Sequence, residues 1–110
     1  MTTKRPATPR IGEAMVWIDR DQAIITTADG DGQPIVEQLG RGRSEPEVAF
    51  GARAVDQVGD RGTVVVSGPA FARTSFERVY TSMTHRPERL VDVEPGIDAA
   101  DVADHPARRR

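Results

Sequence analysis

The chain has 110 residues, enough for one domain with a modest hydrophobic core, and its formal net charge is −2 at pH 7. It contains no cysteine, which excludes disulfides, thiolate zinc sites and cysteine nucleophiles. No apolar stretch has the length of a signal-peptide core or of a membrane span. We therefore expect a cytoplasmic protein with no membrane partner. No cofactor-binding motif is present, and we expect no cofactor.

Positive charge is concentrated near the two ends of the chain and in its middle. Residues 1–12 combine prolines, threonines and basic side chains without periodicity, which predicts a flexible basic tail. Residues 13–107 are predicted to form a single domain, and residues 108–110 a second basic tail made only of arginine. Local basic segments of this kind can attract an anionic partner even when the net charge is small.

The domain is predicted to open with a three-stranded antiparallel meander. Residues 14–18 and 23–27 are short apolar runs separated by a four-residue polar turn, a pattern that favours a hairpin. The Asp-Gly-Asp-Gly sequence at 29–32 is a strong turn signal, and residues 34–39 then make a third strand.

Two helices are predicted from apolar residues at helical spacing. Ser44 and Glu47 have the spacing of a capping box before the first helix, and Gly59 is placed to end it. Pro69 suits the first turn of the second helix. Thr74 and Glu77 offer another capping box, which would start that helix later.

The remaining segments complete an α/β fold. Residues 63–67 form an uninterrupted apolar run, typical of a strand in a parallel arrangement. Residues 90–93 are predicted to be a fifth short strand and residues 97–103 a short final helix. The order β-β-β-α-β-α-β-α predicts a mixed five-stranded sheet, an antiparallel meander followed by a β-α-β unit, with helices packed on it.

The corner Ser67-Gly68-Pro69 joins a strand to a helix, the layout of many phosphate-binding and catalytic sites. The Walker loop, the three-glycine dinucleotide motif and the Gly-x-Ser-x-Gly nucleophile elbow are all absent. What remains is a helix N-terminus that could accept a phosphate, with Arg73 one turn further on. The simpler interpretation is a tight turn that requires glycine.

Acidic residues near the predicted hairpin turns raise the question of a metal site. Carboxylates on adjacent strands can hold magnesium, so Asp19 and Asp21 are weak candidates. Asp29 and Asp31 resemble part of a calcium loop that lacks its later ligands, and turn propensity explains all four aspartates more simply. The two histidines, His85 and His105, lie far apart in the sequence. We therefore predict no metal site.

Several short motifs resemble one protein family. The Trp-Ile-Asp sequence at 17–19 and the Ala-Ile-Ile sequence at 23–25 are similar to a first strand and hairpin of that family. Residues 64–76 are similar to its strand, its Gly-Pro turn and a helix with a basic residue followed by threonine. Residues 89–94 and 103–106 resemble its bacterial members. The family is that of the middle domain of archaeal and eukaryotic peptide-chain release factors and Pelota.

The resemblance covers about residues 14–107 and implies a ribonuclease H-like fold. In release factors, the loop between the third strand and the first helix carries Gly-Gly-Gln, which helps to position water on the peptidyl-tRNA ester. Here that loop, residues 39–44, has the sequence LGRGRS, and Gly32-Gln33 lies one strand too early. The resemblance thus implies the fold without the hydrolytic motif, whereas Arg41 and Arg43 remain candidates for contacting RNA phosphates.

Three functions follow as hypotheses. The first is a non-catalytic, translation-associated module that binds the ribosome or tRNA, in stress or hibernation. The second is an enzyme, a metal-dependent phosphodiesterase or a peptidyl-tRNA ester hydrolase that uses Asp19. The third is a protein-interaction module that docks through a strand edge or a tail. For the first, the candidate phosphate contacts are Arg41, Arg43, Arg73, Arg108, Arg109 and Arg110.

Overall fold

The computed structural model describes residues 9–92. Residues 1–8 of the predicted tail at residues 1–12, the predicted tail at residues 108–110 and the predicted helix at residues 97–103 lie outside this range, whereas Gly12, in the described part of the first tail, accepts a backbone hydrogen bond from Gly62. Within it, the predicted α/β fold with a mixed five-stranded sheet is confirmed. The elements are strands β1 (Glu13–Ile18), β2 (Gln22–Ala28) and β3 (Pro34–Gly40), helix α1 (Glu47–Val58), strand β4 (Thr63–Ser67), helix α2 (Ala70–Thr84), a 3₁₀ turn (Pro87–Arg89) and strand β5 (Leu90–Asp92).

The strands lie in the order β3-β2-β1-β4-β5. The pairs β1–β2 and β2–β3 are antiparallel, as the two turn signals predict, whereas β1–β4 and β4–β5 are parallel. Four strands, β3, β1, β4 and β5, therefore point in the same direction. Their last residues lie at one edge of the sheet, which we call the carboxyl edge. It comprises residues 19–21, 41–46, 68–69 and Asp92.

Both helices pack on the same face of the sheet and against each other. Alternate strand residues such as Val16, Ile25 and Val64 are fully buried there, together with Phe76 and Tyr80 of α2. On the second face, Trp17 is 36% exposed. The hydrophobic core thus lies between the strands and the two helices. Neither helix in the described part of the chain has the length and apolar composition needed to cross a membrane.

The two predicted capping boxes do not form, and that part of the prediction is wrong. Helix α1 begins after Pro46, and no side chain caps it. Because a residue before proline is disfavoured in the helical conformation, Glu45 cannot belong to the helix, and Ser44 lies too far back to cap it. Helix α2 begins directly after Pro69, so Thr74 and Glu77 lie inside the helix.

Gly51 allows the two helices to approach closely. A Cβ at this position would lie 3.2 Å from Cγ2 of Val79 on α2. Since a glycine inside a helix costs about 1 kcal/mol relative to alanine, its presence in α1 is explained by this contact. The N-terminal ends of both helices lie at the carboxyl edge, because α1 follows β3 and α2 follows β4.

Candidate functional site

The carboxyl edge is the part of the molecule where three loops and the end of β5 converge. In open α/β sheets, ligands generally bind outside the carboxyl ends of the strands. The backbone amide of Arg41, after β3, donates to the carbonyl oxygen of Asp21 at 2.8 Å. The loop after β3 and the turn after β1 are therefore one connected surface.

Asp19 and Asp29 organise the two hairpin turns, as the turn interpretation predicts. Asp19 Oδ1 accepts hydrogen bonds from the amides of Asp21 and Gln22, at 2.8 and 2.9 Å. Asp29 Oδ1 accepts in the same way from two amides of its own turn. No group of three or more histidine, aspartate or glutamate side chains that could hold a metal ion is found within residues 9–92. The weak metal candidates Asp19 and Asp21 thus lie together in a turn that Asp19 holds.

Glu45 holds the loop between β3 and α1 in a closed shape. Its carboxylate accepts two hydrogen bonds from the Arg53 guanidinium, at 2.8 and 2.7 Å, and one from the amide of Gly42, at 2.8 Å. Arg53 also donates to the carbonyl oxygen of Gly40 at 2.7 Å. The hydrogen bonds from Arg53 and Gly42 lower the pKa of Glu45 to about 2. This loop is a fixed turn rather than an extended arm.

The two predicted phosphate-binding residues of this loop differ in their surroundings. Arg41 is half-buried, and its guanidinium donates to the carbonyl oxygens of Glu45 and Arg20, at 2.9 and 3.2 Å. Arg43 is exposed, and its guanidinium forms no ion pair with any described residue. Arg41 therefore supports the surface, whereas Arg43 is an exposed charge that no residue within 9–92 pairs.

The Ser67-Gly68-Pro69 corner is shaped by a close backbone contact. Gly68 has a φ of +116°, and a Cβ there would overlap the carbonyl oxygen of Ile18 on the neighbouring strand. Only glycine fits this position without strain. The corner thus has the structural role of the simpler interpretation, because it allows α2 to start directly beside the end of β1.

Arg73 has a role other than the predicted phosphate contact. It is only 7% exposed, its Nε donates to the carbonyl oxygen of Gly68 at 2.9 Å, and its Nη1 is paired with the carboxylate of Asp92. The guanidinium is therefore directed into the molecule, where it joins the corner after β4 to the end of β5. A buried arginine satisfied in this way is not available to an RNA phosphate.

Glu77, one turn after Arg73 on α2, shares the surroundings of Asp92. Burial, and after it the negative charge of Asp92, raise the pKa of Glu77 from 4.5 to about 7. Glu77 Oε2 is buried and has no hydrogen-bond partner among the described residues. An unpaired buried carboxylate is unfavourable, so burial and the nearby charge of Asp92 favour the protonated form of Glu77.

An exposed arginine and an exposed aromatic ring meet beside this corner. The guanidinium carbon of Arg20 lies 5.2 Å from the centre of the Phe71 ring, a cation–π distance. Phe71, the second residue of α2, is 48% exposed. Sequence reasoning missed both residues. The sequence indicates that Arg20 lies in a hairpin turn and that Phe71 lies near the start of a helix. Their contact, however, depends on the way α2 packs beside β1.

Other residues singled out from the sequence lie elsewhere. His85 ends α2 with a φ of 58°, at the end of the sheet opposite the carboxyl edge. His105 and the three predicted phosphate contacts Arg108, Arg109 and Arg110 lie outside the described residues. Of the six predicted RNA contacts, the structure brings Arg41 and Arg43 together at the carboxyl edge.

Comparison with known proteins gives no match, since no family model, no curated protein and no solved structure is significantly similar to the chain. The resemblance to the middle domain of release factors and Pelota therefore stays a prediction. Function has to be argued from the surface at the carboxyl edge.

Proposed function

We propose that the chain is a ribonuclease H-like domain, related to the middle domain of release factors and Pelota, that binds RNA of the translation machinery without cleaving it. The element order supports the fold assignment, because a three-stranded meander is followed by two crossovers to parallel strands, β4 and then β5. The partner is a ribosomal RNA surface or a tRNA, engaged in stress or hibernation.

The observation that carries the proposal is the row of Arg41, Arg20 and Phe71, with the exposed Arg43 two residues after Arg41 in the same loop. Arg41 bonds to the backbone of Arg20, and Arg20 lies over Phe71, so the row crosses from the loop after β3 to the start of α2. Guanidinium groups bind phosphates, and exposed aromatic rings and arginine planes stack on unpaired bases. This combination suits an RNA strand with an accessible base.

Two features support binding without catalysis. The loop that would have to carry a hydrolytic motif lacks Gly-Gly-Gln and is folded back on Glu45. The carboxylates at the strand ends are engaged, since Asp19 holds its turn and Asp92 is paired with Arg73. A group of three or more carboxylate or histidine side chains that could hold a metal ion, as a metal-dependent nuclease requires, is not found among the described residues.

A salt titration of RNA affinity tests the proposal. Fluorescence anisotropy would measure binding of labelled tRNA and of a ribosomal RNA fragment to the wild type, to Arg20→Gln and to Arg43→Gln. Each variant should weaken binding and reduce the slope of log affinity against log salt by about one unit per lost phosphate contact. Arg86→Gln, an exposed arginine at the opposite end of the sheet, is the matched control. Arg41 is left intact because it holds the loop.

Two results would count against the proposal. Equal affinity and equal salt slope in Arg43→Gln and in Arg86→Gln would show that RNA does not use the carboxyl edge. Cleavage of the RNA that requires Mg²⁺ and disappears in Asp19→Asn would instead support the metal-dependent phosphodiesterase.

A further inference from the structure

Strand β3 is an outermost strand of the sheet, and its free side is a different surface from the carboxyl edge defined above. Among residues 9–92 it pairs only with β2, and six of its seven residues are exposed. The exposed residues include Ile35, at 40%, and Val36, at 61%. Glu37 is its one charged residue, and its only proline is the first residue, Pro34. Proteins usually protect such an edge with lysine, interior proline or a bulge, and β3 pairs with β2 in an unbroken register without any of these.

The hydrogen bonds of the sheet show which groups of β3 face outward. Asp29 donates to Gln33, and Arg41 donates to Asp21, each at 2.8 Å, just beyond the two ends of the β2–β3 ladder. Antiparallel ladders alternate between bonded and non-bonded residue pairs. The odd-numbered residues of β3 therefore bond β2, whereas the amides and carbonyls of Val36 and Gln38 point away from the sheet.

We propose that β3 is the interface of a homodimer, in which two copies pair antiparallel across a twofold axis centred on Val36. In this register Val36 exchanges both backbone bonds with Val36 of the second copy. The amide of Gln38 donates to the carbonyl oxygen of Pro34 in the second copy. Because proline has no amide, no donor of Pro34 is left unpaired. Four backbone bonds form, and the two sheets join into one.

Charge and apolar burial favour this register over centring the pair on Glu37 or on Gln38. Centring the pair on Glu37 would place two carboxylates directly opposite each other, which is unfavourable. Centring it on Gln38 would place Val36 opposite a glycine, Gly40, which covers little of its surface. Centring it on Val36 covers the more exposed of the two apolar side chains Ile35 and Val36 with its own copy. A twofold axis makes the same patch self-complementary, which favours a second copy over an unrelated strand.

Cysteine cross-linking tests the interface and its register together. The chain has no cysteine, so single variants at Ile35, Val36, Glu37 and Gln38 each introduce one thiol. Residues opposite each other in a bonded antiparallel pair have Cα atoms about 5.5 Å apart, within the disulfide range of about 4.4–6.8 Å. Val36→Cys should form a disulfide-linked dimer in a glutathione redox buffer faster than the other three variants.

Sedimentation velocity of the cysteine-free chain gives the second measurement. Val36→Pro removes an amide that points away from β2, so it should leave the monomer folded by circular dichroism and abolish the dimer. Val36→Thr keeps that amide and a β-branched side chain, and should keep the dimer. A wild type that is monomeric at every concentration would overturn the proposal. Cross-linking that is fastest at Ile35, Glu37 or Gln38, or equal at all four positions, would also overturn it. The outcome does not depend on RNA binding.

Discussion

The guanidinium of Arg41 donates to the carbonyl oxygen of Arg20 at 3.2 Å and thereby joins the loop after β3 to the turn after β1. These segments are 21 residues apart in sequence, and the meander brings them side by side. Arg20 in turn lies over Phe71 of α2. The Arg41 side chain therefore connects the segments that form the surface proposed to contact RNA. Substitutions at nearby residues test this arrangement.

The closed shape of the loop should depend on Glu45. Replacing Glu45 with glutamine removes the charge that Arg53 and the amide of Gly42 bind, so amide hydrogen exchange at Gly42 should accelerate. The effect on the free energy of unfolding should be small, because the Arg53 side chain of the ion pair is exposed to solvent. Asp56→Asn, an exposed helix carboxylate with no ion pair among the described residues, should leave exchange at Gly42 unchanged. Equal exchange rates in both variants would contradict the assigned role of Glu45.

Acid should open the same loop. The pKa of Glu45 is lowered to about 2 from 4.5, so the folded state holds its carboxylate ionised more strongly than the unfolded chain does. The contribution of the ionised Glu45 to stability is complete above about pH 4.5 and is lost as the pH falls towards 2. Carboxyl chemical shifts of Glu45 followed by NMR during an acid titration would check this. A midpoint near 4.5 would contradict it.

Gly68→Ala should be strongly destabilising. The added Cβ would overlap the carbonyl oxygen of Ile18, and the φ of +116° disfavours any side chain. A loss of at least about 3 kcal/mol in the free energy of unfolding is expected from denaturant titration. Gly30→Ala is the control, since a Cβ there meets no atom within 4 Å. A similar, small effect in both variants would show that the corner relaxes easily.

Glu77 should make the protein less stable as the pH rises towards neutrality. Its pKa in the folded state is raised from 4.5 to about 7, so the folded chain retains a proton that the unfolded chain releases. The free energy of unfolding should therefore fall between about pH 4.5 and pH 7 because of Glu77, and this decline should stop above about pH 7. Glu77→Gln should remove this decline, whereas Glu88→Gln, an exposed control, should keep it. Thermal unfolding from pH 4 to 8 measures the difference.

The parts of the fold that depend on local pattern are predictable from the sequence. Short apolar runs, the polar turn at residues 19–22 and the Asp-Gly-Asp-Gly turn at residues 29–32 predict the meander, and the uninterrupted run at residues 63–67 predicts a parallel strand. The start of α2 beside Pro69 agrees with the sequence, whereas the start of α1 does not, because Pro46 overrides the capping pair Ser44 and Glu47.

The candidate site is less predictable because its contacts join distant segments. Arg73 looks like a surface cation until β5 places Asp92 beside it. The contact between Arg20 and Phe71 requires both the meander and the packing of α2. Among Arg20, Arg41, Arg43 and Arg73, only Arg43 has surroundings that the sequence predicts, since its position in a glycine-rich loop indicates exposure.

The central claim is that the protein binds the translation machinery through the carboxyl edge. Co-sedimentation of the tagged chain with ribosomes on sucrose gradients, at low and high salt, tests it most directly, with Arg43→Gln and Arg86→Gln run alongside. Migration of the wild type and of Arg86→Gln with a ribosomal peak at low salt, lost at high salt and weakened in Arg43→Gln, is the result we expect. Wild-type protein that remains at the top of the gradient at both salt concentrations would contradict the claim.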